Sequence, residues 1–479
     1  MPDVSFADLV LTGGRVHTVD GRDRVAEAVA VRGGRIARVG AAEEMAPLTG
    51  PATRVVRLEG RSVLPGINDS HLHGLWLGSM WPNLLMDQLA GSGADGSNGG
   101  HPHADHSHGG HSHEPPPAPP ASSRLESTDD RRRAILRTAD LLASFGITSY
   151  TEPGLGPGED DGATGCFGSA ALYDYADLAA RGLLKARVTA LLLFGELDGR
   201  STAQDLLDGL RDFKPPAGVP GRFRVAGVKI FADGIPPMRT AWTDRPYTDG
   251  SHGALLIDGR SDDRREEALR AMIDAAHAAG HQIGVHATGD ATTRVVADAL
   301  AAALRRDERD ARHYVIHGDL LSPRTLTVMS AAGIGLNTQA GIPVATEPML
   351  TDALGEDALR DAWPTRDALD AGVRLCLSSD SPVLTPDWRA GVAAAVTRRG
   401  LDGSVRGEAQ RLALAEALRA YTITPAWQDG EEDVKGSIEP GKVADLCVLD
   451  GDLYGTDPQD LPSVPVLMTV LDGDVVYER

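Results

Sequence analysis

The 479-residue sequence is poor in several things, and each shortage removes a class of protein. Cysteine occurs three times, at Cys166, Cys376 and Cys447, too far apart for a CxxC pair. Such spacing implies neither a disulfide framework nor a thiolate zinc site. Basic residues are outnumbered, 47 Lys and Arg against 68 Asp and Glu, for a net charge of −21. A nucleic-acid partner or an anionic membrane needs a basic footprint, so neither is expected. No apolar run approaches the roughly 18 residues of a transmembrane helix. The start, MPDVSFADLVLTGG, lacks the basic-then-apolar pattern of a secretory signal, which makes the cytoplasm the expected location. Aromatic residues are only 4% of the chain, so the core must be mostly aliphatic. What remains, 42% hydrophobic and 24% charged, is the composition of a soluble globular protein. Its expected partner is a small-molecule substrate, and the sequence leaves a homo-oligomer open.

Between residues 5 and 60, short strand-like runs at 9–12, 15–18, 28–31, 35–39 and 54–58 are broken by glycine, with no long helix between them. The texture returns at 444–449 and 465–477, where Asp472-Gly473 signals a hairpin. Two β-rich ends predict one small antiparallel β-sandwich domain built from residues 1–64 and 428–479. The middle, 65–427, alternates strand and helix, as a parallel sheet with helical crossovers does. Strands are expected at 64–73, 147–151, 187–194, 225–231, 282–286, 313–317, 334–338 and 374–379. Helical periods fall at 129–145, 169–180, 264–279, 293–306 and 412–421. Eight strand–helix units predict an α/β fold, a (β/α)8 TIM barrel whose chemistry sits at the C-terminal ends of its strands.

The stretch PGINDSHLHG at 65–74 carries the first chemical signal. In an extended strand, residues i and i+2 share a face. His71 and His73 would then present two imidazoles side by side at a strand end, which suits one metal ion. Lys229, in GVKIFADG, falls near the end of the fourth expected strand. His286 ends the fifth in GVHATGD, His317 the sixth in YVIHGD, and Asp380 the eighth in LCLSSDSPV. Read singly, each has a bland role: a hydrogen-bonded histidine, a helix-capping aspartate or, for Lys229, a salt bridge with Asp233. Six side chains able to bind metal or handle protons on one rim favour a metal site. Glu152, at the end of the second strand, could also face it. Cys166, Trp76 and Trp81 are candidates for a pocket wall, with core packing as their simpler role.

These motifs, with the tail KGSIEPGKVADLCVLD, resemble the amidohydrolase superfamily, and within it the YtcJ-like branch typified by N-substituted formamide deformylase. The resemblance implies a metal-dependent hydrolase in which His71, His73, His286 and His317 bind metal. It implies that Lys229 corresponds to a lysine that is carboxylated and bridges two metals. By the same resemblance Asp380 lies at the metal and handles the proton of its water, and Arg239, in MRTAWTDRPY, contacts substrate. Two departures stand out. The long stretch with a DGH-type motif that follows the first strand in better-known members is missing, and VIHGD lacks the glutamate that often precedes the histidine.

The chemistry is consistent with that assignment. A divalent metal lowers the pKa of its water toward ~7, and an aspartate can carry the released proton to a leaving nitrogen. Lysine's ammonium cannot ligate, so Lys229 would act as a neutral amine beside one ion or as a carbamate spanning two. Zinc is the first expectation for the metal, as one or two ions. The expected activity is hydrolysis of a non-peptide C–N bond in an amide, formamide or cyclic amide. In place of the missing stretch, residues 90–123 run Gly/Ser-rich, then HPHADHSHGGHSH, then Pro/Ala-rich. That composition reads as a disordered insertion in the first βα loop. It keeps open a metal-buffering protein that uses this His-rich loop; a non-catalytic barrel scaffold is the other alternative.

Overall fold

The computed structural model describes residues 6–87, 125–307 and 309–479. The histidine tract and the rest of the 90–123 insertion lie outside them. The described residues form two eight-stranded sheets, one from the chain ends and one from the middle.

The barrel strands are β6 (Ile67–Asp69), β7 (Ile147–Leu155), β8 (Arg187–Leu193), β9 (Phe223–Phe231), β10 (Gln282–Ala287), β11 (Tyr314–His317), β12 (Gly335–Thr338) and β13 (Leu375–Leu377). They pair in parallel in chain order, as eight apolar runs separated by helices require. The crossover helices start where the sequence supplies a cap. Ser127, Thr202, Ser261 and Ser322 each accept the backbone N–H three residues on, opening α2 (Thr128–Ser144), α4 (Ala203–Asp212), α5 (Asp262–Ala278) and α7 (Pro323–Ala332). Each such cap is worth about 1 kcal/mol. The other helices used below are α1 (Gly74–Met80), α3 (Ser169–Ala180), α6 (Asp290–Arg306), α8 (Gly341–Leu354), α9 (Glu356–Asp361), α10 (Thr365–Asp370) and α11 (Trp388–Thr397).

The terminal sheet contains β1 (Leu9–His17), β2 (Val25–Arg32), β3 (Arg35–Gly40), β4 (Arg54–Arg57), β5 (Ser62–Pro65), β14 (Leu446–Leu449), β15 (Val466–Leu471) and β16 (Asp474–Glu478). Strand alternation buries both of its faces. Leu9, Leu11, Val29 and Val31 enter one cluster, while Val10, Ala28 and Ala30 pack on Met45 on the other side. The expected β-sandwich domain from both chain ends is present, but the sheet is mixed: β1 pairs in parallel with β4 and β5. The junction with the barrel is ionic and buried. Arg187, opening β8, donates Nε and Nη2 to the two oxygens of Asp445, at 2.7 and 2.9 Å, just before β14.

One expected element is different. The single run at 64–73 is two strands, because the Pro65-Gly66 pair hands the chain from β5 in the terminal sheet to β6 in the barrel. β6 ends at Asp69, so His71 and His73 follow the strand instead of extending it.

Candidate metal centre

β6 and β13 are the two ends of the barrel sheet, and a regular ladder does not join them. The seam is sewn by the residues that follow the strands. Asp69 Oδ1 accepts the N–H groups of Ser379 (3.1 Å) and His71 (3.4 Å). The Asp380 N–H donates to His71 O at 2.9 Å, the His73 N–H to Ser381 O at 2.8 Å, and the Leu72 N–H to Thr151 O at 2.9 Å. This irregular backbone, and not strand periodicity, turns both imidazoles onto Asp380. His71 Nε2 lies 3.2 Å and His73 Nε2 3.5 Å from the same oxygen, Asp380 Oδ1. One ligand atom from each of the three residues falls within 4.8 Å of the others, and all three are buried.

The remaining expected residues ring this group. The His317 ring sits 5.2 Å from His71 and 4.5 Å from His286, centroid to centroid. His317 Nδ1 is 2.7 Å from Gln339 Oε1, leaving Nε2 for the centre. His286 Nε2 is 3.0 Å from Gly234 O, so it donates there and leaves Nδ1, which is buried without a partner. Lys229 is 2% exposed, and its Nζ stands 4.4 Å above the Phe231 ring. Its suggested salt bridge with Asp233 does not form. Asp233 instead accepts the N–H groups of Trp242 (3.1 Å), Thr288 (3.0 Å) and Gly289 (3.0 Å). Gly289 is needed there, because a Cβ on it would lie 1.9 Å from Trp242 O. His317 and Asp380 both hold left-handed backbone, φ +70° and +56°, which concentrates strain at the rim.

Burial decides the protonation of most of these groups. It pushes His71 down to about 4 and His286 to about 3, with the Lys229 charge adding in the same direction. It also carries His317 well below its ordinary value, with His286 adding. These three are therefore neutral imidazoles, the form that ligates. Lys229 is lowered to about 8, again chiefly by burial, with Asp380 opposing. Burial would raise Asp380, but His71 and His73 hold it well below the usual carboxylate range. His73 differs: burial lowers it, yet Asp380 and Glu152 outweigh burial and lift it to about 9. The two carboxylates that favour a proton there favour any cation there. Convergent donors, neutral imidazoles and a partnerless buried Nδ1 together fit a divalent metal ion.

Glu152 does face the site. Its Oε1 lies 3.7 Å from His73 Nδ1, and its Oε2 accepts Tyr175 OH (2.9 Å) and Leu75 N–H (3.1 Å). Trp76 and Phe167 stand edge-on to the His73 ring, at 6.1 and 5.4 Å, as an apolar wall. Cys166 is buried with Sγ 3.9 Å from Ser79 Oγ, and burial pushes its thiol up to about 11, which leaves it inert at neutral pH. Trp81 packs against Phe145. Arg239 is tied elsewhere: Nη2 donates to Asp352 Oδ2 (2.7 Å) and Thr248 Oγ1 (3.2 Å), joining the loop after β9 to α8. The polar network beneath His317 had no sequence signal. Gln339 Nε2 donates to Ser378 Oγ (2.9 Å), whose hydroxyl donates to Asn337 Oδ1 (2.7 Å). Their short polar runs, LNTQ and LSSD, read like any strand end.

Residues 117–477 match the amidohydrolase family. N-substituted formamide deformylase of Arthrobacter pascens is 27% identical over 545 aligned positions, which take in 98% of this chain and 98% of that protein. The putative amidohydrolase YtcJ of Bacillus subtilis (strain 168) is 30% identical over 258 residues, 53% of this chain and 47% of that protein. An uncharacterized metal-dependent hydrolase from Pyrococcus furiosus has the same fold, with a TM-score of 0.69 at 21% identity, covering 94% of this chain and 99% of that one.

Proposed function

The chain belongs to the amidohydrolase family, and from that premise we propose that it is a metal-dependent hydrolase of non-peptide carbon–nitrogen bonds. The substrates we assign are amides, formamides or cyclic amides, and the metal we assign is zinc. His71, His73, His286, His317 and Asp380 would hold it, with Lys229 either as a neutral amine beside one ion or, carboxylated, between two. The observation that carries the reading is the convergence of His71 Nε2 and His73 Nε2 on Asp380 Oδ1, at 3.2 and 3.5 Å. A divalent ion in that position supplies Lewis acidity, which raises the acidity of a water and polarises a carbonyl.

The chain's own residues supply the rest. Asp380 takes the proton of the attacking water and returns it to the departing nitrogen, so the C–N bond opens to an acid and an amine. Its depressed pKa keeps it ionised, with an oxygen free to accept that proton. Glu152 holds His73 so that Nε2, and not Nδ1, faces the centre. Trp76 and Phe167 exclude water from the flank of His73. Arg239 positions: it fixes the loop after β9, in which the Gly234 carbonyl orients His286. The name of the Arthrobacter pascens relative supports the choice of a C–N bond over an ester.

The test is Asp380→Asn in zinc-loaded protein, screened on a panel of amides, formamides, lactams and esters. The expected result is turnover of a C–N substrate by the wild type, abolished by chelation and restored by zinc. The variant should keep a metal ion on the remaining ligands yet lose turnover about 10²-fold or more. Near-normal turnover in the variant refutes the role given to Asp380.

A further inference from the structure

The polar side chains beneath His317 form a chain whose direction is set at one fixed point, the backbone carbonyl of Ser70. A carbonyl accepts and never donates. Asn337 Nδ2 lies 3.0 Å from it, so the end of the amide turned toward Ser70 is the NH2 group. The same nitrogen reaches Ser70 Oγ (2.9 Å) and Gln428 Oε1 (3.0 Å). Asn337 Oδ1 then faces the other way, 2.7 Å from Ser378 Oγ. An amide oxygen only accepts, so the single hydroxyl hydrogen of Ser378 is spent on it. Ser378 Oγ is left to accept from Gln339, which presents Nε2 at 2.9 Å. Gln339 Oε1 therefore faces His317 Nδ1 at 2.7 Å, and that imidazole nitrogen must carry a hydrogen. Reversing any one member would set two acceptors or two donors against each other.

The chain is shielded from solvent. Asn337 and Gln339 are fully buried, and Ser70 and Ser378 are at most 2% exposed, so bulk water does not compete for these bonds. Its members also come from distant parts of the sequence. Ser70 directly follows β6 and precedes His71, Asn337 lies in β12 with Gln339 just beyond it, and Ser378 directly follows β13. The bonds thus run from the seam, beside one proposed ligand, to the outer nitrogen of another at the end of β11.

We infer that Asn337, Ser378 and Gln339 are positioning residues: anchored on Ser70 O, they hold His317 with its hydrogen on Nδ1 and its lone pair on Nε2. Nε2 is the atom left for the centre, so this ligand is set before any ion arrives. Neutral imidazole has two tautomers, and only this one can ligate through Nε2. The inference rests on the proposed metal-dependent function for its purpose, while the tautomer itself follows from the hydrogen bonds alone. The Asn337 side chain hydrogen-bonds none of the proposed ligands, so its effect is exerted entirely through Ser378 and Gln339. The competing account is that these side chains only fill the barrel interior.

The first test uses metal-free, full-length protein with isotope-labelled histidine. A long-range proton–nitrogen correlation spectrum, assigned against a His317→Gln variant, distinguishes the two tautomers. His317 should carry its hydrogen on Nδ1; a hydrogen on Nε2, or a mixture of the two forms, overturns the inference. The second test is competition for zinc against a chromophoric chelator, with Tm measured alongside. Gln339→Met removes the acceptor at Nδ1 and should lower zinc affinity about tenfold or more, as loss of a group behind a ligating histidine does. Gln339→Glu keeps an oxygen at Nδ1 and should bind zinc at least as tightly as the wild type. Asn337→Leu should weaken binding about threefold or more, because the Ser378 hydroxyl is then free to turn to Gln339 and reverse its amide. A role in packing alone predicts instead a lower Tm in all three variants with zinc affinity within about twofold of wild type, and that result overturns the inference. So does a loss in Gln339→Glu as large as that in Gln339→Met. If the wild type binds no zinc, the proposed function is what fails, and the metal-free spectrum decides the positioning role by itself.

Discussion

Replacing Glu152 with glutamine removes one charge and changes almost no volume, yet the local hydrogen bonding gives it a specific consequence. Oε2 already accepts two donors, Tyr175 OH at 2.9 Å and Leu75 N–H at 3.1 Å. An amide placed here must keep its oxygen at that position, since an NH2 group cannot accept either. The NH2 group is then forced to the Oε1 position, 3.7 Å from His73 Nδ1. A donor facing Nδ1 favours the tautomer in which Nδ1 accepts and Nε2 carries the hydrogen. That tautomer has no lone pair on the atom 3.5 Å from Asp380. Loss of an outer carboxylate behind a ligating histidine typically costs 10–100-fold in metal affinity. This corresponds to about 1.4–2.7 kcal/mol. The assay is competition for zinc against a chromophoric chelator at neutral pH, with turnover measured again at saturating zinc. Affinity should fall by that factor, while most turnover returns when zinc is saturating. A zinc affinity within twofold of wild type refutes the tautomer argument. Tyr175→Phe, which removes one of the two donors at Oε2, should give a smaller loss of the same kind.

Two further substitutions test the rest of the centre. Lys229→Ala should lower the metal content from about two ions to one or fewer, with partial recovery of activity on adding small carboxylic acids; two ions retained in the variant rule out a carbamate bridge. Arg239→Met breaks ion pairs that are largely solvent-accessible and worth at most about 1 kcal/mol, so kcat/KM should fall several-fold with little change in Tm. Parallel losses of Tm and activity would make Arg239 a purely structural residue.

The eight barrel strands were legible because each is an apolar run, bounded by glycine or a polar end and followed by a helical period. The strand positions of Lys229, His286 and His317 are legible for the same reason: they sit inside or at the end of β9, β10 and β11. For His71 and His73 the strand period is the wrong local reason, because β6 ends at Asp69. Their shared direction comes from backbone bonds to Thr151 and Ser381, partners about 80 and 310 positions away, which no strand period reports. Glu152 could be suspected only from its strand-end position, since Tyr175 and Leu75 come to it through α3 and α1. Gln339 is invisible for a related reason. A glutamine in a strand end is ordinary, and only the groups packed around it distinguish this one.

The seam between β6 and β13 has a consequence for how the protein is made. The two histidines are synthesised early and Asp380 late, and the bonds that close the barrel join these same segments. A ribosome-bound chain that stops before residue 380 holds two of the three converging donors but neither the third nor the closing bonds. A truncated chain would therefore lack one donor of the proposed metal centre and the bonds that close the barrel at the same stroke: site and barrel are completed together.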